Sequence, residues 1–518
     1  MLVNRSPSIS LLSNSAVFTE TIGQDNNSND IRFGSQGLTD IQDAEDSLRS
    51  LTISVANSDI RDGASEQLIA GGTLLALDQS AANVALTSPI GGVSFSASVI
   101  KGANNTTVVF TKLGGGSFTA AQADALFDGI SYNHNSNTPT AGTRSFSIAV
   151  SDGSQSSEVI SKTITVVPSN DPISISLAAG SATYTETVGA DSAANDIGFG
   201  TAGSSEVSDL EDSLASLTIS VSNASISNGA DEQLIAGGTT LALHQSAASV
   251  NLASLIGGVG FAASVSRGAS NTQVVFSRQG GGNFTSSQAD ALLDSISYNN
   301  ASNTPTAASR SFSITVSDGS QSSIAAVKTI TVIASNDPIA VNLSAGSATY
   351  TESVGADSSA NDVRFGTVGT SEVIDLENSL TNLVISVPNA DISDGADEQL
   401  IAGGTALALH QSAATVNLAS LISGIGFSAS VTRSSSNTQV VFTRQGGGSF
   451  TSAQADALLD SISYNNASNT PTAAARSFSV TLSDGTQSSP VALKTITVIA
   501  SNDAPSLSFT PNSALSFT

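Results

Sequence analysis

The sequence predicts an all-β protein made of tandem antiparallel β-sandwiches, each carrying one short helix. Three observations carry that expectation. First, the text repeats: Asn170, Asn336 and Asn502 sit in equivalent linkers, and 336 − 170 gives a period of 166 residues. Glu20, Glu186 and Glu352 keep the same spacing, as do Tyr132, Tyr298 and Tyr464. Second, short alternating apolar runs rich in Val, Ile, Thr and Phe recur between Gly, Asn, Asp and Ser turns, the pattern of half-buried strands. Third, a unit of this length buries enough apolar surface to fold as its own domain, unlike the small unit of a solenoid. The expected domains are 1–167, 168–333 and 334–499, with 500–518 opening a truncated fourth copy, as in a fragment of a longer array.

Repeat two shows the elements in order. Ile173–Leu177 and Ala182–Thr187 alternate like strands, and the polar stretch Gly189–Asp196 has the composition of a loop. The acidic text Glu206–Asp212 leads into a further strand, Leu217–Val221. A turn at Asn228–Glu232 follows, and then a hairpin formed by Val259–Val265 and Thr272–Phe276. Thr285 and Gln288 form a capping box, a hydroxyl at the N-cap and an amide three residues on. Ala289, Leu292, Leu293 and Ile296 then share one helical face, leaving Asp290 and Asp294 on the polar side as an expected solvated face. The closing hairpin pairs Phe312–Val316 with Val327–Val332 around Asp318–Gly319 and ends at Pro338, where no central strand continues.

Composition narrows the function. The 518 residues carry 43 acidic and 17 basic side chains, a net charge of −26, which argues against binding nucleic acid through its phosphates. So much like charge repels itself unless cations bind. There is no cysteine, hence no disulfide staple, and no apolar run long enough to span a membrane. No catalytic constellation is visible: His134, His244 and His410 are the only histidines, and none has a nucleophile and acid arranged around it. Tyr132, Tyr298 and Tyr464 follow the apolar helix and are expected in the core, and the Asn299–Asn300 pair is expected in a turn rather than a sugar site.

The ending Ile314–Gly319, then Thr329–Val332, then Asn502–Pro505 resembles the bacterial cadherin-like repeats of large surface adhesins. The portion from Phe284 through Tyr298 to Gly319 is also similar to chondroitin sulfate proteoglycan-type repeats. The resemblance implies cadherin-like or immunoglobulin-like sandwiches in an extracellular or cell-surface stalk, stiffened by Ca2+ at the domain junctions.

The residues allow that reading, because calcium takes six to eight oxygens and the acids cluster. If the first strand runs away from the preceding linker, its end and the acidic text lie at the far pole. Glu186, Asp209, Glu211 and Asp212 then meet Asn336 and Asp337, with Asp484 facing them from repeat three. By the same logic Glu20, Asp43, Glu45 and Asp46 meet Asn170, Asp171 and Asp318, and Glu352, Asp375 and Glu377 meet Asn502 and Asp503. Asn378 stands where Asp46 and Asp212 stand, and Arg5 replaces the aspartate of the opening linker. The alternative is that these acids are solvated turn residues. The function expected is a calcium-stiffened spacer. The rival is a set of repeats that bind glycans or pair with one another, and an enzyme comes last.

Overall fold

The computed structural model describes residues 4–505 except Gln24, Ala190 and Ala356; the body of the expected fourth copy, from Ser506 onward, lies outside the described residues. Repeat one serves for all three. Its strands are β1 (Ser8–Ile9), β2 (Ser15–Thr19), β3 (Ile31–Arg32), β4 (Ile41–Gln42), β5 (Ser50–Ala56), β6 (Glu66–Ala70) and β7 (Thr73–Ala76). There follow β8 (Ala81–Ala85), β9 (Phe95–Lys101), β10 (Asn105–Lys112), helix α1 (Ala120–Asp128), β11 (Ile130–His134), β12 (Gly142–Ser151) and β13 (Ile160–Val167).

The strands form two facing layers and a small ribbon. One sheet has seven strands in the order β2-β13-β12-β5-β10-β9-β8, the second has four in the order β3-β11-β6-β7, and β1 pairs with β4 alone. Repeats two and three repeat this arrangement strand for strand. One pair departs from the antiparallel expectation: β2 runs parallel to β13, Thr19 beside Val167. The first long strand and the last therefore leave the sheet at the same pole.

Alternation explains the layers. In β12 the side chains of Arg144, Phe146, Ile148 and Val150 point inward and are buried, while those between them face out. Each repeat has its own cluster of buried apolar side chains. Tyr132, Tyr298 and Tyr464 are fully buried, as expected, and Tyr132 packs edge-on against Phe18 at 5.7 Å. The helix forms where the capping box placed it, with Thr285 accepting from Gln288 N–H and Gln288 Oε1 accepting from Thr285 N–H.

Two expectations about polar residues are corrected. Asn299 and Asn300 lie in the strand Ile296–Asn300 and are buried, not in a turn. Asp290 is no idle member of a solvated face: its carboxylate accepts the backbone N–H groups of Glu206 at 2.9 Å and Val207 at 2.8 Å, pinning the acidic text to the helix.

The core also holds an ion pair that no local text announces. Arg144, Arg310 and Arg476 are at most 1% exposed. Arg144 Nε and Nη2 donate to Glu66 at 3.1 and 3.0 Å, Nη2 reaches Asp62 at 3.1 Å, and Nη1 donates to the Thr140 and Gly142 carbonyls. Tyr132 donates to the same glutamate at 3.0 Å. Arg310 with Glu232, and Arg476 with Glu398, repeat the pair. Losing one partner of such a pair strands a desolvated charge, which costs about 3–5 kcal/mol, whereas replacing both by apolar groups is often neutral. Arg310→Met is therefore expected to lower the urea midpoint of repeat two sharply, and Arg310→Met with Glu232→Leu to recover most of it; equilibrium unfolding of the full chain checks both.

Candidate metal centres at the repeat junctions

Two registers build each junction. At the leaving pole, parallel pairing of β2 with β13 sets Glu20 beside the linker: Glu20 N–H donates to Val167 O at 3.0 Å, and Glu20 Oε2 accepts from Ser169 N–H at 2.8 Å. At the entering pole of repeat two, the ribbon pairs Ser174 with Ser208. Carried three residues outward, that antiparallel register sets Glu211 opposite Asp171, and Asp171 N–H donates to Glu211 Oε1 at 2.8 Å. Asp171 itself accepts from Gly23 N–H of repeat one, so the linker aspartate ties both repeats.

This overturns part of the strand-direction expectation. Glu20, Glu186 and Glu352 do lie at the leaving pole, as Ser335 N–H to Glu186 at 2.9 Å and Ser501 N–H to Glu352 at 2.8 Å show. Glu211 and Glu377, however, face the linker that precedes their repeat: Asp337 N–H donates to Glu377 Oε1 at 2.7 Å. Between Glu20 and Asp43 the chain travels back across the domain, and β4 pairs antiparallel with β1, so Asp43 and Glu45 follow on toward Arg5 and the opening linker rather than toward Asn170 and Asp171. Asp209 and Asp375 move with their neighbouring glutamates, away from Asn336 and Asn502.

Not every expected residue is placed to hold a metal. Asp46, Asp212 and Asn378 adopt left-handed backbone with φ of 51°, 51° and 54°. Each accepts the first N–H of its repeat's helix, from Ala120 at 2.6 Å, Ser286 at 2.8 Å and Ser452 at 3.0 Å. Asp318 does stand by the preceding linker, where Asn170 Nδ2 donates to it at 2.7 Å, but its other oxygen accepts from Ser320 and Gln321 N–H. Burial opposes its ionisation, yet these hydrogen bonds prevail and hold it at about 2. Asp484 and Asn336 form the same clamp at 2.8 Å. Gly355 N–H donates to Asp503 at 2.7 Å, while Asn502 is exposed.

What remains is a set of buried oxygens with no hydrogen-bond partner. At the first junction these are Glu20 Oε1, Asp171 Oδ2, Asp209 Oδ1, Glu211 Oε2 and Thr21 Oγ1; at the second they are Glu186 Oε1, Asp337 Oδ2, Asp375 Oδ1, Glu377 Oε2 and Thr187 Oγ1. Asp171 and Asp337 are at most 1% exposed. A buried carboxylate oxygen without a donor is costly, and the same five positions are left without one at both junctions. All are hard oxygen donors, which suits calcium rather than a softer metal. Among the described residues, no three of these carboxylates offer oxygens that all lie within 4.8 Å of one another. Among the described residues one trio of metal-capable side chains does draw within 4.8 Å, Asp62, Glu66 and His134, but Arg144 already supplies its positive charge.

A second acidic group was missed by sequence reasoning. Asn133 Nδ2 donates to Asp25 at 2.9 Å and Asp30 at 2.8 Å, and Asn465 links Asp357 and Asp362 in the same way. The signal was there in the recurring Asp-and-Asn loop text before β3, although nothing local says that an asparagine of β11 joins it.

The site is thus a set of acidic joints between tandem β-sandwiches. The chain matches no protein-family model and no curated protein. Among solved structures it is similar to human CDH23 EC21-23, at 10% identity and TM-score 0.22, covering 96% of this chain and 100% of that one. It is similar too to the human Desmocollin-1 ectodomain, at 9% identity and TM-score 0.18 over 96% of this chain and 62% of that one. It is similar as well to Sidekick-1 immunoglobulin domains 1-5, at 8% identity and TM-score 0.16 over 95% and 81% of the two chains. These likenesses carry no functional assignment. No helix among the described residues is long and apolar enough to cross a membrane.

The carboxylates respond to one another. Burial first, then the charges of Asp171 and Asp25, push Glu20 above the usual range. Burial pushes Glu211 up to about 7, with the carboxylates of Asp209 and Asp171 adding to it, and Glu377 shifts the same way. A raised carboxyl binds its proton more tightly in the folded chain, so stability is present below the unfolded value near 4.5 and falls as pH rises toward 7. In chelator, the melting temperature is expected to drop between pH 5 and 7.5. Saturating calcium, which takes the proton's place, is expected to flatten that slope, and melting curves across pH with and without calcium check it.

Proposed function

We propose that this chain is an extension module of a surface-displayed or secreted bacterial adhesin, held stiff by calcium at its repeat junctions. The observation that supports it most is the recurrence, at both joints, of five buried oxygens without donors, drawn from two repeats and the linker between them. In this reading Glu20, Asp171, Asp209 and Glu211 hold the first ion site, and Glu186, Asp337, Asp375 and Glu377 the second. The ion supplies the positive charge that lets these carboxylates close together. The protein contributes preorganisation: Ser169, Gly23 and Ser213 N–H groups each fix one oxygen of an acid and leave its twin free.

Stiffness follows from linkage. An ion that binds the docked joint and not the open one stabilises docking by about 2.7 kcal/mol when its concentration is a hundred times its Kd. The clamps of Asn170 on Asp318 and Asn336 on Asp484 need no ion and set the linker's direction beforehand. Calorimetric titration of the full chain with calcium is expected to show binding that Asp171→Asn with Asp337→Asn weakens by tenfold or more. Small-angle scattering is expected to show a longer particle in calcium than in chelator. Unchanged heats in the double variant, or identical scattering in the two conditions, would remove this reading.

A further inference from the structure

The four-stranded sheet carries a polar cleft whose role the junctions do not explain. On β3, β11 and β6, residues Arg32, Ser131 and Ile69 stand side by side, Ser131 being in register with both of the others. They lie one step from the buried Tyr132 and Leu68 and the partly buried Ile31, which pack on the core, and so on the opposite face of the sheet. Over this row opens a cleft of about 430 Å³, lined by Asp30, Arg32 and Ser131 and closed on one side by the Gly71–Gly72 turn. Repeat three has its counterpart, a cleft of about 280 Å³ lined by Asp362, Arg364, Ile401 and Ser463. Both fall near the size of a small-ligand pocket. Repeat two keeps Asp196, Ser297 and Ile235, but Gly198 stands in the arginine's place.

The groups in the cleft are held, and its arginine and aspartate are not paired with each other. Asp30 accepts from Asn133 at 2.8 Å and Ser131 at 3.3 Å, and Asp362 from Asn465 at 2.9 Å and Ser463 at 3.3 Å. Arg32 and Arg364 each donate one N–H to the carbonyl at the end of the helix, Asp128 O at 3.4 Å and Asp460 O at 3.0 Å. A guanidinium has five N–H donors, so most remain. None of the ion pairs among the described residues joins Arg32 to Asp30 or Arg364 to Asp362, although each pair lines one cleft.

The chemistry of the cleft narrows its ligand. An anion meets the carboxylate of Asp30, on a chain of net charge −26. A simple cation meets the guanidinium. An apolar ligand strands the donors and acceptors that line the cleft. A neutral ligand with adjacent hydroxyls suits both groups, since one hydroxyl can accept from arginine while its neighbour donates to aspartate. We propose that the clefts of repeats one and three bind a neutral saccharide unit, with Arg32 and Arg364 donating to one hydroxyl and Asp30 and Asp362 accepting from the next.

Saturation-transfer NMR of the full chain in calcium, with a panel of neutral methyl glycosides and disaccharides, tests this independently of the junction sites. Saturable binding of at least one neutral saccharide is expected. Arg32→Gly with Arg364→Gly is expected to weaken it by about tenfold or more, the loss of a charged hydrogen bond, with no change in melting temperature. Gly198→Arg, which installs the arginine in repeat two, is expected to raise the number of sites per chain; this gain of function stays readable even if the double variant melts early. No saturable binding by any neutral member at tens of millimolar overturns the proposal. So does equal affinity in the arginine double variant, or a preference for sialylated or sulfated sugars.

Discussion

Each joint of this protein rests on one electrostatic constraint: carboxylates from two repeats and a linker are gathered where water reaches only part of them. Two like charges 4 Å apart repel by about 4 kcal/mol at an effective dielectric of 20. The backbone answers half of this. Ser169, Gly23, Asp171 and Ser213 N–H groups each satisfy one oxygen of Glu20, Asp171, Glu211 and Asp209. The other oxygen of every one of these acids is left without a donor. A proton can answer the remainder, and so can a divalent cation. The raised affinity of Glu211 for a proton and the proposed affinity of the joint for calcium therefore have the same physical origin.

The interior shows the contrasting solution. Glu66, Glu232 and Glu398 are as deeply buried as any junction acid, yet each faces an arginine in its own domain. That charge is paired within the repeat, although in repeat two Glu232 Oε2 is itself left without a donor. Because the arginine lies on β12 and the glutamate on β6, the pair ties the seven-stranded sheet to the four-stranded one. A repeat thus balances its core internally and leaves its poles unbalanced, which makes the poles the places where a neighbour or an ion matters.

Much of this was legible in the chain and some was misread. The helix was readable because a capping box is local: Thr285 and Gln288 find each other within one turn. The burial of Tyr298 followed from its place after an apolar helix. Glu211 was assigned to the wrong pole because strand direction was carried forward without the return crossing that precedes β4's equivalent. Asp212, expected among the junction ligands, and Asp290, expected on a solvated helix face, instead take backbone N–H groups some 74 and 84 positions away. Arg310 and Glu232 are 78 positions apart, and no pattern in either neighbourhood joins them.

By itself the sequence determined the period, the alternation that makes strands, the turns, the capped helix and the acidic character of the linkers, because each of these depends on residues close together in the chain. Only the tertiary structure decided which acids meet. The parallel pairing of β2 with β13 and the three-residue extension of the β1–β4 register choose the members of each joint, and both are long-range pairings set by the packing of whole sheets. A shift in either register would scatter the same acids over the surface with the composition unchanged.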